Sequence, residues 1–109
     1  ETGAAVCGSG CALFEELKFA PESGAVLNGN LLDYKLLRTA DFPWQSADVI
    51  FEESRDSVGP FGARGAGESP IAASVSAIQQ AMYNATGLWM DLPMTAERVV
   101  RELGVLSRD

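Results

Sequence analysis

Apolar residues recur at the three- and four-residue spacing of a helix in three parts of the chain. The clearest run is Ile71, Val75, Ile78, Met82 and Ala85, one apolar stripe on a helix predicted over residues 70–86. Ser69 is a suitable N-cap, Pro70 fits the first helical position, and Gly87 supplies the stop. Val6, Cys7, Gly10, Leu13, Phe14 and Leu17 predict a second helix over residues 4–17. Its Gly8 and Gly10 each cost about 1 kcal/mol against alanine, so this helix is expected to let another backbone come close. Thr95 caps a third helix, predicted over residues 95–104 through Val99, Val100 and Leu103 to Gly104.

Elsewhere the period changes. Ala47–Glu53 alternates in part and carries Val49, Ile50 and Phe51, which predicts a strand. Pro21-Glu22-Ser23-Gly24 is a turn signal between two short apolar runs and predicts a hairpin. Asn28-Gly29-Asn30 is a second turn, residues 31–38 follow neither period, and Pro43 ends what precedes it. Residues 54–68 hold Gly59, Pro60, Gly62, Gly65 and Gly67 with little periodicity, so they predict a long loop. Long loops in compact domains are commonly functional. The expected class is α+β: three helices, a few short strands, and no internal repeat or domain boundary.

Composition narrows the chemistry. The 109 residues suffice for one modest domain, and 47% hydrophobic with 21% charged residues is an ordinary globular balance. Eight basic residues stand against 15 acidic ones, and none of the basic residues cluster, which argues against nucleic acid as a partner. No apolar run approaches the ~18 to 20 residues of a membrane span. The chain opens Glu1-Thr2-Gly3, with neither an initiator Met nor a basic-then-apolar leader. A piece of a longer, cytoplasmic protein is the expectation. Histidine is absent, which excludes Ser-His-Asp and Cys-His catalysis and removes the commonest metal ligand. Cys7 and Cys11 are too few for an iron–sulfur cluster and poorly placed for a disulfide within one helix. They are expected as small buried residues facing a neighbour.

Carboxylates are left to do acid–base work, and one is well placed. In Gly65-Ala66-Gly67-Glu68-Ser69-Pro70, Glu68 follows two glycines at a helix start. Glycines permit positive φ and close approach of a ligand, and the helix N-terminus favours an anion. A base working near neutral pH also needs burial or a neighbouring anion. Taken alone, an acidic residue here is more commonly a charge–dipole device. Arg64 reads as a solvated loop residue, with a grip on a carboxylate or anionic substrate as the sharper alternative.

Four ordered segments carry a resemblance. Phe61-Gly62-Ala63-Arg64-Gly65-Ala66-Gly67-Glu68-Ser69-Pro70, then an Ala-rich helix and Thr86-Gly87, resembles the molybdenum-binding subunit of the xanthine dehydrogenase and aldehyde oxidase family. Gly10-Cys11-Ala12-Leu13-Phe14-Glu15-Glu16-Leu17 is similar to that family's glycine-bearing helix. Asn28-Gly29-Asn30-Leu31-Leu32-Asp33-Tyr34 matches its N-x-N-x-x-D-Y stretch, and Leu92-Pro93-Met94-Thr95-Ala96-Glu97-Arg98-Val99 its closing segment. Residues 1–109 resemble the C-terminal end of the molybdopterin-binding catalytic domain.

The resemblance implies a molybdenum hydroxylase, inserting water-derived oxygen at an electron-poor carbon of an aldehyde or N-heterocycle. Glu68 falls where the family has the base that takes a proton from the metal's hydroxide; it is not itself a metal ligand. Ala66 and Gly67 are expected close to the molybdenum–molybdopterin cofactor, which other parts of the subunit hold. Iron–sulfur and flavin groups belong to partner domains or subunits. Many family members have Pro where this chain has Ser69, a better cap, so the geometry should survive. Alone, the chain should be inactive.

Two other readings stay open: a non-catalytic structural or assembly segment, and a stand-alone carboxylate hydrolase, which lacks a convincing second acid. Asp33-Tyr34 is expected to anchor a turn against another part of the subunit. The stripe on the 70–86 helix has no evident partner of matching size in the chain. The isolated chain is therefore expected to self-associate, sedimenting faster than an 11.6 kDa monomer; a well-behaved monomer would count against this.

Overall fold

Small residues decide how this chain packs. The structure, a computed structural model, describes residues 1–104 and contains three α-helices. They are α1 (Thr2–Leu13), α2 (Ser69–Thr86) and α3 (Ala96–Glu102), with single 3-10 turns at Thr39–Asp41, Trp44–Ser46 and Pro60–Gly62. All three predicted helices exist, with shifted ends. α1 ends at Leu13, where the Gly10 carbonyl accepts from both Phe14 N–H (2.9 Å) and Glu15 N–H (3.0 Å), the second a wider i→i−5 bond that closes the last turn.

Of the predicted apolar stripe only Gly10 is buried, while the close backbone approach expected of the α1 glycines is met at Gly8. Ala4, Gly8 and Ala12 recur every four residues and are buried, as is Gly10, while Cys7 and Cys11 are exposed free thiols. The expectation of buried cysteines is thus corrected. The reason is how closely α1 meets α2. A Cβ placed on Gly8 would lie 2.5 Å from the Ile71 carbonyl oxygen and 2.8 Å from Ser74 Cβ. Only a face of hydrogen and methyl groups can touch another backbone this closely.

α2 therefore does have an in-chain partner, contrary to the expectation from its stripe. The cover is partial: Ile71, Val75, Ile78 and Met82 are half-buried, and Ala85 is exposed. The stretch after α2 closes the packing. Met90 and Met94 are buried, Met94 N–H donates to the Ala12 carbonyl (2.7 Å), and Gln79 Nε2 donates to the Met90 carbonyl (2.8 Å). The Thr95 hydroxyl caps α3 by accepting from Arg98 N–H at 3.3 Å, as its sequence predicts. The Arg98 guanidinium then reaches Glu16 (2.9 Å), tying α3 to the segment leaving α1.

The β part of the expected class is corrected. Among the described residues the predicted hairpin is one antiparallel bridge, Phe19 to Val26, flanked by Ala20 N–H to Ala25 O and Leu27 N–H to Lys18 O, both 2.8 Å. Ala47–Glu53 forms no strand, and Ile50 and Phe51 are 92% and 70% exposed. A strand is made by its neighbour's hydrogen bonds. Among the described residues this segment has only the local bonds Ala47 N–H to the Trp44 carbonyl and Val49 N–H to Asp48 Oδ1, with no pairing strand.

The chain also covers itself poorly. Its accessible surface is 8422 Å², where a globular protein of this mass exposes about 5,800 Å². Its radius of gyration is 17.7 Å against about 13 Å expected for the length.

Gly8→Ala is expected to destabilise the α1–α2 pair by about 1 to 3 kcal/mol, the usual cost of overpacking. Gly3→Ala, where nothing lies within 4 Å, serves as the neutral control. Equal urea midpoints for the two variants would contradict the close approach.

Candidate functional site

The loop before α2 is organised by one aspartate. Asp56 Oδ1 accepts from Val58 N–H (2.8 Å) and Gly59 N–H (3.2 Å), while Asp56 N–H donates to the Gly62 carbonyl (3.1 Å). Asp56 Oδ2 faces Arg64 Nε at 3.6 Å. Arg64 is 70% exposed, so the bland reading of it as a solvated loop arginine fits, and such a pair adds little stability. At the tip, Phe61 adopts φ 56° and is fully exposed, next to Gly62 at φ 81°.

Of the two reasons expected for Gly65 and Gly67, positive φ and close approach of a ligand, the structure moves the first elsewhere. The left-handed glycines are Gly24, Gly62, Gly87 and Gly104. A Cβ on Gly65 or Gly67 would meet nothing within 4 Å. Nothing in the described residues therefore requires glycine at either position.

Glu68, not Ser69, is the N-cap of α2. Its carbonyl accepts from Ile71 N–H at 3.1 Å, and Ser69 and Pro70 form the first turn, where a missing N–H costs nothing. The Glu68 side chain makes no cap hydrogen bond and is exposed, beside exposed Ala66 and Gly67. Among the described residues it has neither an ion-pair nor a hydrogen-bond partner. The carboxylate thus stands free at the positive end of an 18-residue helix. The burial that a base needs is not supplied by the described residues.

The N-x-N-x-x-D-Y stretch is scaffold. Asn28, the buried polar residue of the core, accepts from Lys18 N–H and donates to the Glu16 carbonyl, both at 2.7 Å. Asn30 Oδ1 accepts from Leu32 N–H (2.9 Å), and its amide donates to Asp33 Oδ2 (3.0 Å), closing a local turn. Tyr34 donates to Glu15 Oε2 at 3.0 Å, a bond that pushes the phenol above its ordinary range. Within the chain, Asp33-Tyr34 is thus held by Asn30 and Glu15. No periodicity foretold Asn28 or the Glu16–Arg98 pair; both join segments by single polar contacts.

Clefts lie away from the loop. The lining of one of about 580 Å³, between Phe14, Leu31, Tyr34 and Arg38, does not include Glu68. Among the described residues no cluster of three or more His, Cys, Asp or Glu could hold a metal, and no helix is long and apolar enough to cross a membrane.

Fold and loop together define a helical segment that presents the Glu68 carboxylate outward, at the N-terminus of its longest helix and without a partner among the described residues. No protein-family model matches the chain. Individual relatives do. The xanthine dehydrogenase molybdenum-binding subunit of Escherichia coli O157:H7 is 38% identical over 96 residues, 87% of this chain and 12% of that subunit. The aldehyde oxidoreductase molybdenum-binding subunit PaoC of Escherichia coli K12 is 36% identical over 103 residues, 93% of this chain and 14% of that subunit. The gamma subunit of the 6-hydroxypseudooxynicotine dehydrogenase complex of Paenarthrobacter nicotinovorans is 37% identical over 100 residues, 89% of this chain and 12% of that subunit. Over most of its length the chain is thus homologous to part of the molybdenum-binding subunits of the xanthine dehydrogenase and aldehyde oxidoreductase family. It spans about an eighth of the length of these relatives.

Asn28→Ala leaves the Lys18 N–H and the Glu16 carbonyl without their partner. It is expected to cost about 1 to 3 kcal/mol of stability by urea unfolding. An unchanged midpoint would mean that water replaces the side chain without loss.

Proposed function

We propose that this segment forms the C-terminal end of a molybdenum hydroxylase subunit and lends Glu68 to the active site as general base. The observation that carries this reading is the Glu68 carboxylate, free at the start of α2 and flanked by glycines that the described residues do not require. Residues kept small and a charge kept unpaired are what a loop needs when its contacts lie in the rest of the subunit.

The described residues fit contact with a molybdenum–molybdopterin cofactor rather than its capture. They offer no ligand cluster, while open space borders Gly65 and Gly67 beside the carboxylate. When bound by the remainder of the subunit, that cofactor supplies a two-electron acceptor. The substrate C–H of an aldehyde or N-heterocycle becomes C–OH, with oxygen from water and release of two electrons and two protons. Glu68 accepts one proton from the attacking water-derived oxygen; α2 orients it, and closure of the site by the rest of the subunit excludes solvent. Iron–sulfur and flavin subunits carry the electrons onward. The large exposed surface also suits an assembly role, which is the second reading.

In the intact enzyme, Glu68→Gln and Glu68→Ala are expected to cut turnover by about 100- to 10,000-fold with molybdenum content unchanged, the usual range for loss of a general base. Gly67→Ala should leave the stability of this segment unchanged and still impair turnover. Near-normal turnover of Glu68→Gln would sink the base and leave the assembly role.

A further inference from the structure

The segment between the Trp44–Ser46 turn and the Asp56 loop has strand chemistry without a strand's partners. Val49, Ile50 and Phe51 are three consecutive strand-forming residues, so in a pleated strand their side chains would occupy both faces. Ile50 and Phe51 are 92% and 70% exposed. Among the described residues, the backbone N–H and carbonyl groups of residues 50–55 make no hydrogen bond to one another or to any other residue. At both ends the chain is held: Ala47 N–H donates to the Trp44 carbonyl (3.4 Å), and Asp56 N–H to that of Gly62 (3.1 Å). A tethered segment with apolar side chains for two faces and open backbone edges is a template for strand addition.

We propose that residues 48–53 pair as a β-strand with a strand from the remainder of the same subunit. That occupant is favoured over a second copy for two reasons. The homologous subunits are about eight times longer than this chain, so most of their polypeptide is left to supply the partner. Two copies meeting at this segment would also bring Asp48, Glu52 and Glu53 against their own like charges. The partner strand is apolar opposite Val49–Phe51 and carries a basic residue opposite Glu52 or Glu53. Such pairing clamps the chain just before the Asp56 loop, as the α1–α2 contact clamps it just after Glu68. The loop that carries Glu68 is then fixed from both sides. This inference rests on the chain being a segment of the larger subunit, and not on Glu68 being a base.

Hydrogen exchange on the intact, cofactor-loaded subunit tests it. The amides of residues 50–53 should exchange about 100-fold or more slower than in the urea-unfolded subunit, with no change on tenfold dilution. Exchange at the unfolded rate, or protection that fades on dilution, overturns the proposal, the second outcome by pointing to another copy. Phe51→Pro removes an N–H from the segment and should release the protection of its neighbours; protection retained in that variant counts against pairing. Where Phe51→Pro yields no soluble subunit, exchange of the wild-type subunit decides alone. Glu68→Gln should keep the slow exchange, so loss of the base reading and loss of the strand reading are told apart.

Discussion

The contact of Gly8 with the Ile71 carbonyl is the constraint on which the rest of this structure depends. It brings α1 onto the first turn of α2, three residues beyond Glu68. A methyl group at Gly8 would have to displace that turn, because the atom it meets is backbone and cannot rotate away. The position of the carboxylate relative to the scaffold is thus held by a contact with almost no slack. Ala4 and Ala12 extend the same seam, and Met94 and Gln79 close it from the side.

Around that seam the chain is incomplete. The surface it exposes exceeds that of a globular protein of its mass by about 2,600 Å², the scale of an obligate interface. Exposed Leu31, Leu32, Ile50 and Phe51 account for part of it. This exposed surface and the free carboxylate both fit the proposal that the chain is part of a larger subunit whose remainder covers these faces.

The sequence was a good guide to the helices and a poor one to what lies between them. α2 was legible from its stripe, Pro70 and Gly87; α3 from Thr95, whose hydroxyl caps it as expected. The face of α1 was misread because its apolar periodicity points to Leu13 and Phe14, while packing selected the smallest residues. The strand at Ala47–Glu53 was read from side chains, yet a strand exists only through a neighbour's backbone. Asn28 and Tyr34 were legible only as members of a matching stretch; the structure shows each joining segments through one or two hydrogen bonds.

By itself, then, the sequence determined the existence of three helices, the Thr95 cap of α3, the Gly87 stop of α2 and the place of Glu68 at a helix start. Those depend on neighbours within a turn or two, and propensity and capping act at that range. It also excluded histidine chemistry outright. Only the tertiary structure decided which face of α1 is buried, that the Gly65 and Gly67 backbones are not left-handed, and that Glu68 stands without a partner among the described residues. Those outcomes depend on how closely distant segments approach, and a spacing of residues along the chain does not encode a distance between two backbones.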